Sequence, residues 1–154
     1  MSVEQRFRNI LLALLRLIFS SLRAVPLPLT GIRKILVIRQ HNQLGDMLCV
    51  VPLLRALKAR LPMARISLLA SPINAAVMLN NRFLDEAIVY DKRKMLGKLS
   101  LRISAILTFL KNLRARRFDL VIVPSTVSTS FTSDLFAYLC GAKIRIGAAS
   151  IDGK

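Results

Sequence analysis

A polar loop directly after an apolar run is the most informative feature of the chain. Residues 34–39 (KILVIR) have the continuous apolar character of a strand buried on both faces, and residues 40–46 (QHNQLGD) follow at once. In an α/β sheet, ligands bind at the carboxyl ends of such strands. Gly45 permits a tight turn or the close approach of a ligand, and Asp46 lies where the next helix should begin. A plain N-cap is the simplest interpretation of Asp46, and Asn would serve equally well as a cap.

A second polar segment follows another apolar run. Residues 119–123 (DLVIV) predict a buried strand, and residues 124–133 (PSTVSTSFTS) come after it. Their hydroxyls and backbone N–H groups could bind sugar hydroxyls or phosphate. Alternatively, residues 128–130 only cap the next helix, where Asp134 suits the helix dipole without a catalytic role.

Several chemistries are excluded by missing motifs. Gly45 is the only glycine near the first turn, so neither a dinucleotide-binding loop nor a phosphate-binding P-loop is present, and NAD and ATP are disfavoured. A single histidine and the lack of a G-x-S-x-G elbow leave hydrolase chemistry unsupported. Two distant cysteines without a C-x-x-C pair argue against a disulfide framework and a zinc site. We therefore expect no cofactor and no metal.

The elements that position these loops alternate between strand and helix. Apolar runs predict strands over 34–39, 65–70, 87–90, 119–123 and 143–146. Helical patterns predict helices over 46–61, 72–79, 100–116 and 131–140. With right-handed crossovers, this order gives an α/β fold, a doubly wound parallel sheet with helices on both faces.

The charge of the chain implies an anionic partner. Lys and Arg number 24 against 8 Asp and Glu, a net charge of +16. Residues 92–117 are rich in Lys and Arg and lack acids, so this segment faces either lipid phosphates or an anionic acceptor, or is simply a solvated helix face. In both cases an apolar stripe of Leu101, Ile103, Ile106, Leu107 and Leu110 should pack inward. A nucleic-acid partner is disfavoured because the chain has no Trp, two Tyr and no recognition motif.

The first 30 residues differ from the rest. Residues 7–22 predict a strongly apolar helix that ends before Pro26. Its less apolar positions recur at gaps of three and four, which predicts an amphipathic helix lying in the interface of an anionic membrane. The alternatives are a helix packed on the protein's own core or on a missing domain, or an export signal, which Arg16 and the lack of an A-x-A site disfavour. We divide the chain into residues 1–30 and a domain over 31–154.

Three stretches together resemble one enzyme family. They are KILVIRQHNQLGDMLCVVPLLRALKARLPMARISLLASP, RRFDLVIVPSTVSTSF and YLCGAKIRIGA, within residues 34–148. This combination is similar to the N-terminal half of glycosyltransferase family 9, the lipopolysaccharide heptosyltransferases. The resemblance implies the Rossmann-like, acceptor-binding domain of a GT-B enzyme that inverts the anomeric centre without an obligatory metal. The C-terminal domain, which would bind an ADP-heptose-like nucleotide-sugar donor, is expected to be absent.

The resemblance also implies roles for individual residues. Asp46 takes the place of the proposed general base, which removes a proton from the acceptor hydroxyl. Arg39 takes the place of a basic residue that anchors the phosphate and carboxylate groups of the acceptor. The predicted acceptor-binding residues are Arg39, Asn42, Gln43, Gly45, Ser125 and Ser128.

These implications define the expected biology and its alternative. We expect a bacterial protein held peripherally at the inner, cytoplasmic face of the cytoplasmic membrane, where it binds an anionic glycolipid acceptor resembling the lipopolysaccharide core. The fragment alone should be inactive. The alternative is a truncated, non-catalytic module that binds the membrane surface or a partner.

Overall fold

The computed structural model describes residues 30–40, 43–91, 99–124 and 130–147, without the side chains of 99–103 and 131. The amphipathic helix predicted over residues 7–22 lies outside these residues, as do residues 92–98 of the basic segment. What the structure describes is the α/β domain.

Five strands alternate with helices along the described chain. In order they are β1 (Lys34–Arg39), α1 (Leu44–Leu48), α2 (Val51–Arg60), β2 (Arg65–Ala70), α3 (Pro72–Met78), β3 (Glu86–Val89), α4 (Leu99–Ala115), β4 (Leu120–Ile122), α5 (Phe131–Leu139) and β5 (Ile144–Ile146). The strands form one sheet in the order β3-β2-β1-β4-β5, and every pair is parallel. The predicted doubly wound parallel sheet is confirmed.

The central strand β1 explains why the sheet is so apolar. Val37 aligns with Leu68 of β2 on one side and with Ile122 of β4 on the other. Successive side chains of a strand point to opposite faces, so Ile35 and Val37 pack on one face and Leu36 and Ile38 on the other, all fully buried. Helices α1, α2 and α3 contribute to the first core, and α4 and α5 contribute to the second.

One predicted helix is two helices. The sequence pattern predicts a continuous helix over 46–61, whereas α1 ends at Leu48 and α2 begins at Val51. Pro52 explains the break, because its nitrogen carries no hydrogen and its ring clashes with the carbonyl four residues earlier, which is that of Leu48. Asp46 therefore lies on a five-residue helix of its own, attached to the first core by the fully buried Met47.

Two other predictions need correction. Leu107 is 61% exposed, so it does not belong to the inward stripe of α4. The prediction is confirmed for Leu110, which packs against the second core together with Phe109 and the buried Leu113. The side chains of Leu101 and Ile103 lie outside the described residues. The third strand begins one residue earlier than predicted because Glu86 is anchored there, accepting hydrogen bonds from the Ser67 hydroxyl and the Arg116 guanidinium.

The amino ends of the strands are joined by hydrogen bonds and an ion pair. One carboxylate oxygen of Asp119 accepts the backbone N–H groups of Arg33 and Lys34, each at 2.9 Å. Lys58 Nζ lies 2.7 Å from Asp85 Oδ2. Burial alone would raise the pKa of Asp85, but the hydrogen bonds from Lys58 and the Ile66 N–H, with the nearby positive charges, lower it. These contacts link loops and strands at one edge of the sheet.

Candidate functional site

The opposite edge of the sheet holds the candidate site. The chain leaves β1 toward α1 on the first face, and it leaves β4 toward α5 on the second face. The carboxyl ends of these neighbouring strands form a switch point, the place where open α/β sheets bind ligands. The two polar loops singled out in the sequence both begin there.

A buried arginine joins the two strand ends. Arg39 is the last residue of β1 and is only 4% exposed. Its Nη1 donates a hydrogen bond to the carbonyl oxygen of Pro124, 3.0 Å away, just beyond β4. Its Nη2 donates to Oδ2 of Asp46 in an ion pair. The guanidinium therefore faces protein oxygens from both loops.

Asp46 is not the N-cap of its helix. The N-cap of α1 is Gln43, whose side chain makes no capping bond, and Asp46 is the third helical residue. A carboxylate in the first turn suits the helix dipole, but the bond that Asp46 makes is to Arg39. With its side chain 28% exposed, Asp46 is held by the protein on one side and reached by solvent on the other.

A second contact between the loops was not predicted from the sequence. The Gln40 side-chain amide, 2% exposed, donates to the hydroxyl of Ser133 in α5 at 3.2 Å. Ser133 in turn donates its backbone N–H to the hydroxyl of the N-cap, Ser130. The capping interpretation of the second segment is thus correct for Ser130. A glutamine at the end of a buried strand was a signal that this position needs a polar partner.

Of the five other predicted acceptor-binding residues, the structure describes two. Gln43 and Gly45 are exposed beside Asp46. The tight-turn interpretation of Gly45 is wrong, because it lies inside α1 without a positive φ, and an added Cβ would meet no protein atom within 4 Å. That open space leaves room for a ligand. Asn42, Ser125 and Ser128 lie outside the described residues.

A second carboxylate lies near the same edge. Asp134, in the first turn of α5, has its Oδ1 3.9 Å from the Cβ that a side chain at Gly147 would carry. Partial burial raises the pKa of Asp134 above its usual value. The sequence suggested only a favourable position in the helix dipole, and the desolvation could not be foreseen without the neighbouring strand.

The described residues also bear on metal sites and membrane spans. Within residues 30–40, 43–91, 99–124 and 130–147, no three His, Cys, Asp or Glu side chains form a group that could hold a metal ion. Among the helices of that same part of the chain, none has both the length and the apolarity to cross a membrane.

Two open surface grooves, of about 420 and 580 Å³, lie along α2 and do not include Asp46.

Solved structures similar to this chain include glycosyltransferases. A family 9 glycosyl transferase from Veillonella parvula matches 80% of this chain at 24% identity with a TM-score of 0.62. ADP-heptose lipopolysaccharide heptosyltransferase II of E. coli matches 73% at 29% identity with a TM-score of 0.57. The E. coli heptosyltransferase WaaC, solved with ADP-2-deoxy-2-fluoro heptose, matches 58% at 17% identity with a TM-score of 0.50.

The matches cover much of this chain and little of the other proteins. The chain spans 33%, 29% and 29% of their respective lengths, which is about a third. No family model and no curated protein matches the sequence. The resemblance to glycosyltransferase family 9 is confirmed, and the chain aligns with about a third of the length of these enzymes.

Proposed function

We propose that this chain is the acceptor-binding part of an inverting GT-B glycosyltransferase and that Asp46 is its general base. The observation that carries the proposal is the position of Asp46: a partly exposed carboxylate, fixed by a buried arginine, at the switch point of the sheet. The 29% identity to an ADP-heptose lipopolysaccharide heptosyltransferase supports the reaction class.

The proposed chemistry is a single displacement. The Asp46 carboxylate accepts the proton of the acceptor hydroxyl, whose oxygen attacks C1 of the donor sugar as the nucleotide diphosphate departs with the bonding electron pair. Attack from the side opposite the leaving group inverts the anomeric centre. Proton removal by a positioned carboxylate contributes roughly 100- to 10,000-fold to such reactions. A second domain would supply the nucleotide-sugar site.

The proposed acceptor is an anionic glycolipid of the lipopolysaccharide-core type. The excess of 24 basic over 8 acidic residues favours a partner that carries phosphate and carboxylate groups. Gln43 and Gly45 would contact the acceptor beside Asp46, together with Asn42, Ser125 and Ser128. We place the protein at the inner face of the cytoplasmic membrane, attached through its first 30 residues.

Binding of the acceptor tests the proposal directly. The chain should bind a deacylated, phosphate-bearing lipopolysaccharide core oligosaccharide saturably in calorimetry, and it should not consume ADP-heptose. Failure to bind this oligosaccharide would contradict the acceptor class. Turnover of ADP-heptose by the chain alone would contradict the assignment of the donor site to a second domain.

Membrane attachment has its own test. Binding to anionic vesicles should weaken with salt, and the Arg6→Glu, Arg16→Glu, Arg23→Glu triple variant should remain in the supernatant when vesicles are sedimented. A protein that binds vesicles but not the core oligosaccharide would instead be the non-catalytic membrane module.

A further inference from the structure

The burial of Arg39 argues against contact with the acceptor. Only 4% of the residue is exposed, so little of its guanidinium surface is open to a phosphate or carboxylate of a substrate. Its planar group donates to Asp46 from Nη2 and to the Pro124 carbonyl from Nη1. We propose that Arg39 is a positioning residue that aims Asp46 and ties together the two loops of the site. This inference rests on the proposed role of Asp46.

Asp46 needs such support because of where it lies. Helix α1 has five residues, and Met47 is its one buried residue. A helix this short is marginal without tertiary contacts. Arg39 holds Oδ2 of Asp46, while Oδ1 has no hydrogen bond among the residues that the structure describes. One oxygen of the carboxylate is fixed, and the other is available to a hydroxyl of the acceptor.

The second bond of Arg39 gives it a further role. Pro124 lies two residues beyond the end of β4, at the start of the loop that leaves this strand. Because one rigid guanidinium serves both partners, the position of Asp46 is coupled to the start of that loop. Lysine has a single nitrogen on a flexible stem and does not reproduce this geometry.

A double-mutant cycle measures the coupling without any ligand. Arg39→Met and Asp46→Asn should each lower the melting temperature, and the double variant should melt no lower than the less stable single variant. Arg116→Met and Glu86→Gln, which break a more exposed ion pair at the opposite edge, serve as the matched control with smaller effects. Fully additive losses at Arg39 and Asp46 would overturn the coupling.

Acceptor binding separates positioning from direct contact. Arg39→Met should bind the phosphate-bearing core oligosaccharide within about threefold of the unaltered chain, and dephosphorylating the sugar should not change that ratio. A direct anchor predicts a loss of about tenfold or more, since a charged hydrogen bond to the phosphate would be missing. The loss should largely disappear with the dephosphorylated sugar. That result would overturn the proposal.

The ¹³C resonance of the Asp46 carboxyl reports directly whether this carboxylate is positioned to meet the acceptor hydroxyl. Saturation with the core oligosaccharide should shift this resonance in the unaltered chain and in Arg116→Met, because Asp46 meets the acceptor hydroxyl. In Arg39→Met the shift should be lost although the sugar is bound, and Arg39→Lys should restore part of it. An unchanged shift in Arg39→Met would leave Arg39 as a merely structural residue and overturn the proposal.

The two proposals fail in different ways. If the unaltered chain does not bind the oligosaccharide, the proposed acceptor class is wrong, while the melting cycle still decides whether Arg39 and Asp46 are coupled. If the oligosaccharide binds and the cycle is additive, the acceptor class stands and the role of Arg39 falls.

Discussion

The ion pairs at the two edges of the sheet are similar in kind but differ in burial. At the amino edge, Arg116 with Glu86 and Lys58 with Asp85 are partly exposed on both sides. At the carboxyl edge, Arg39 is almost fully buried, whereas the side chain of its partner Asp46 is 28% exposed. An exposed pair contributes little to stability, whereas a buried cation must be matched. We infer that the pair at the carboxyl edge places Asp46, whereas the pairs at the amino edge link loops and strands.

Turnover should distinguish the two edges most strongly. In a two-domain enzyme completed with a donor domain, Asp46→Asn should lower kcat roughly 100- to 10,000-fold, because an amide cannot accept the proton. Asp85→Asn, the matched change at the amino edge, should leave kcat within about twofold. The measurement is initial rate at saturating donor and acceptor, and near-normal turnover in Asp46→Asn would remove its catalytic role.

Stability should show the next largest difference. The sequence suggested that Asp46→Asn would keep stability, since Asn caps helices as well as Asp. Because Asp46 instead neutralises a buried guanidinium, we expect Asp46→Asn to lower the free energy of unfolding by about 1–3 kcal/mol. Glu86→Gln should lower it by less than about 1 kcal/mol. Urea denaturation of both variants tests this, and equal losses would erase the contrast between the edges.

The two cysteines report on the edges separately. Cys49 is exposed at the end of α1, near the carboxyl edge, whereas Cys140 is buried at the end of α5. Burial raises the pKa of the Cys140 thiol, which lowers its thiolate fraction. Iodoacetamide should therefore alkylate Cys49 about tenfold faster or more than Cys140, as followed by mass spectrometry of tryptic peptides. Equal rates would show that the amino edge opens readily.

Acidification should produce the smallest effect, at the amino edge. The lowered pKa of Asp85 means that its ion pair with Lys58 stabilises the fold above the unfolded-state pKa of about 4. This contribution is lost as the pH falls through the lower, folded-state pKa. In Asp85→Asn, the melting temperature should thus fall less steeply between about pH 5 and pH 2. An unchanged slope would mean that the pair contributes nothing.

The sequence predicted the fold better than the geometry of the site. Apolar runs such as residues 34–39 identify buried strands because both faces of a parallel sheet are covered, and β1 and β2 have the predicted bounds. The position of both loops at the carboxyl edge follows from the same rule.

The contacts inside the site depend on side-chain packing that no local pattern contains. The pairing of Arg39 with both Asp46 and Pro124 requires β1 and β4 to be neighbours, which is a property of the whole sheet. The bond between Gln40 and Ser133 joins residues 93 positions apart. Pro52, which breaks the predicted helix, and Gln40, a polar residue at the end of a buried strand, were local signals that the sequence-based prediction overlooked.

The break between α1 and α2 also makes the segment before it suitable for redesign. Because α2 begins as a separate helix at Val51, the residues between Arg39 and Asp46 can be exchanged without shifting the register of α2 on the sheet. The exchange would keep two fixed attachment points, the guanidinium of Arg39 and the buried thioether of Met47. Under the proposed role of Asp46, which stays in place, loops of other lengths and compositions between Arg39 and Asp46 should alter the acceptor preference on an unchanged scaffold.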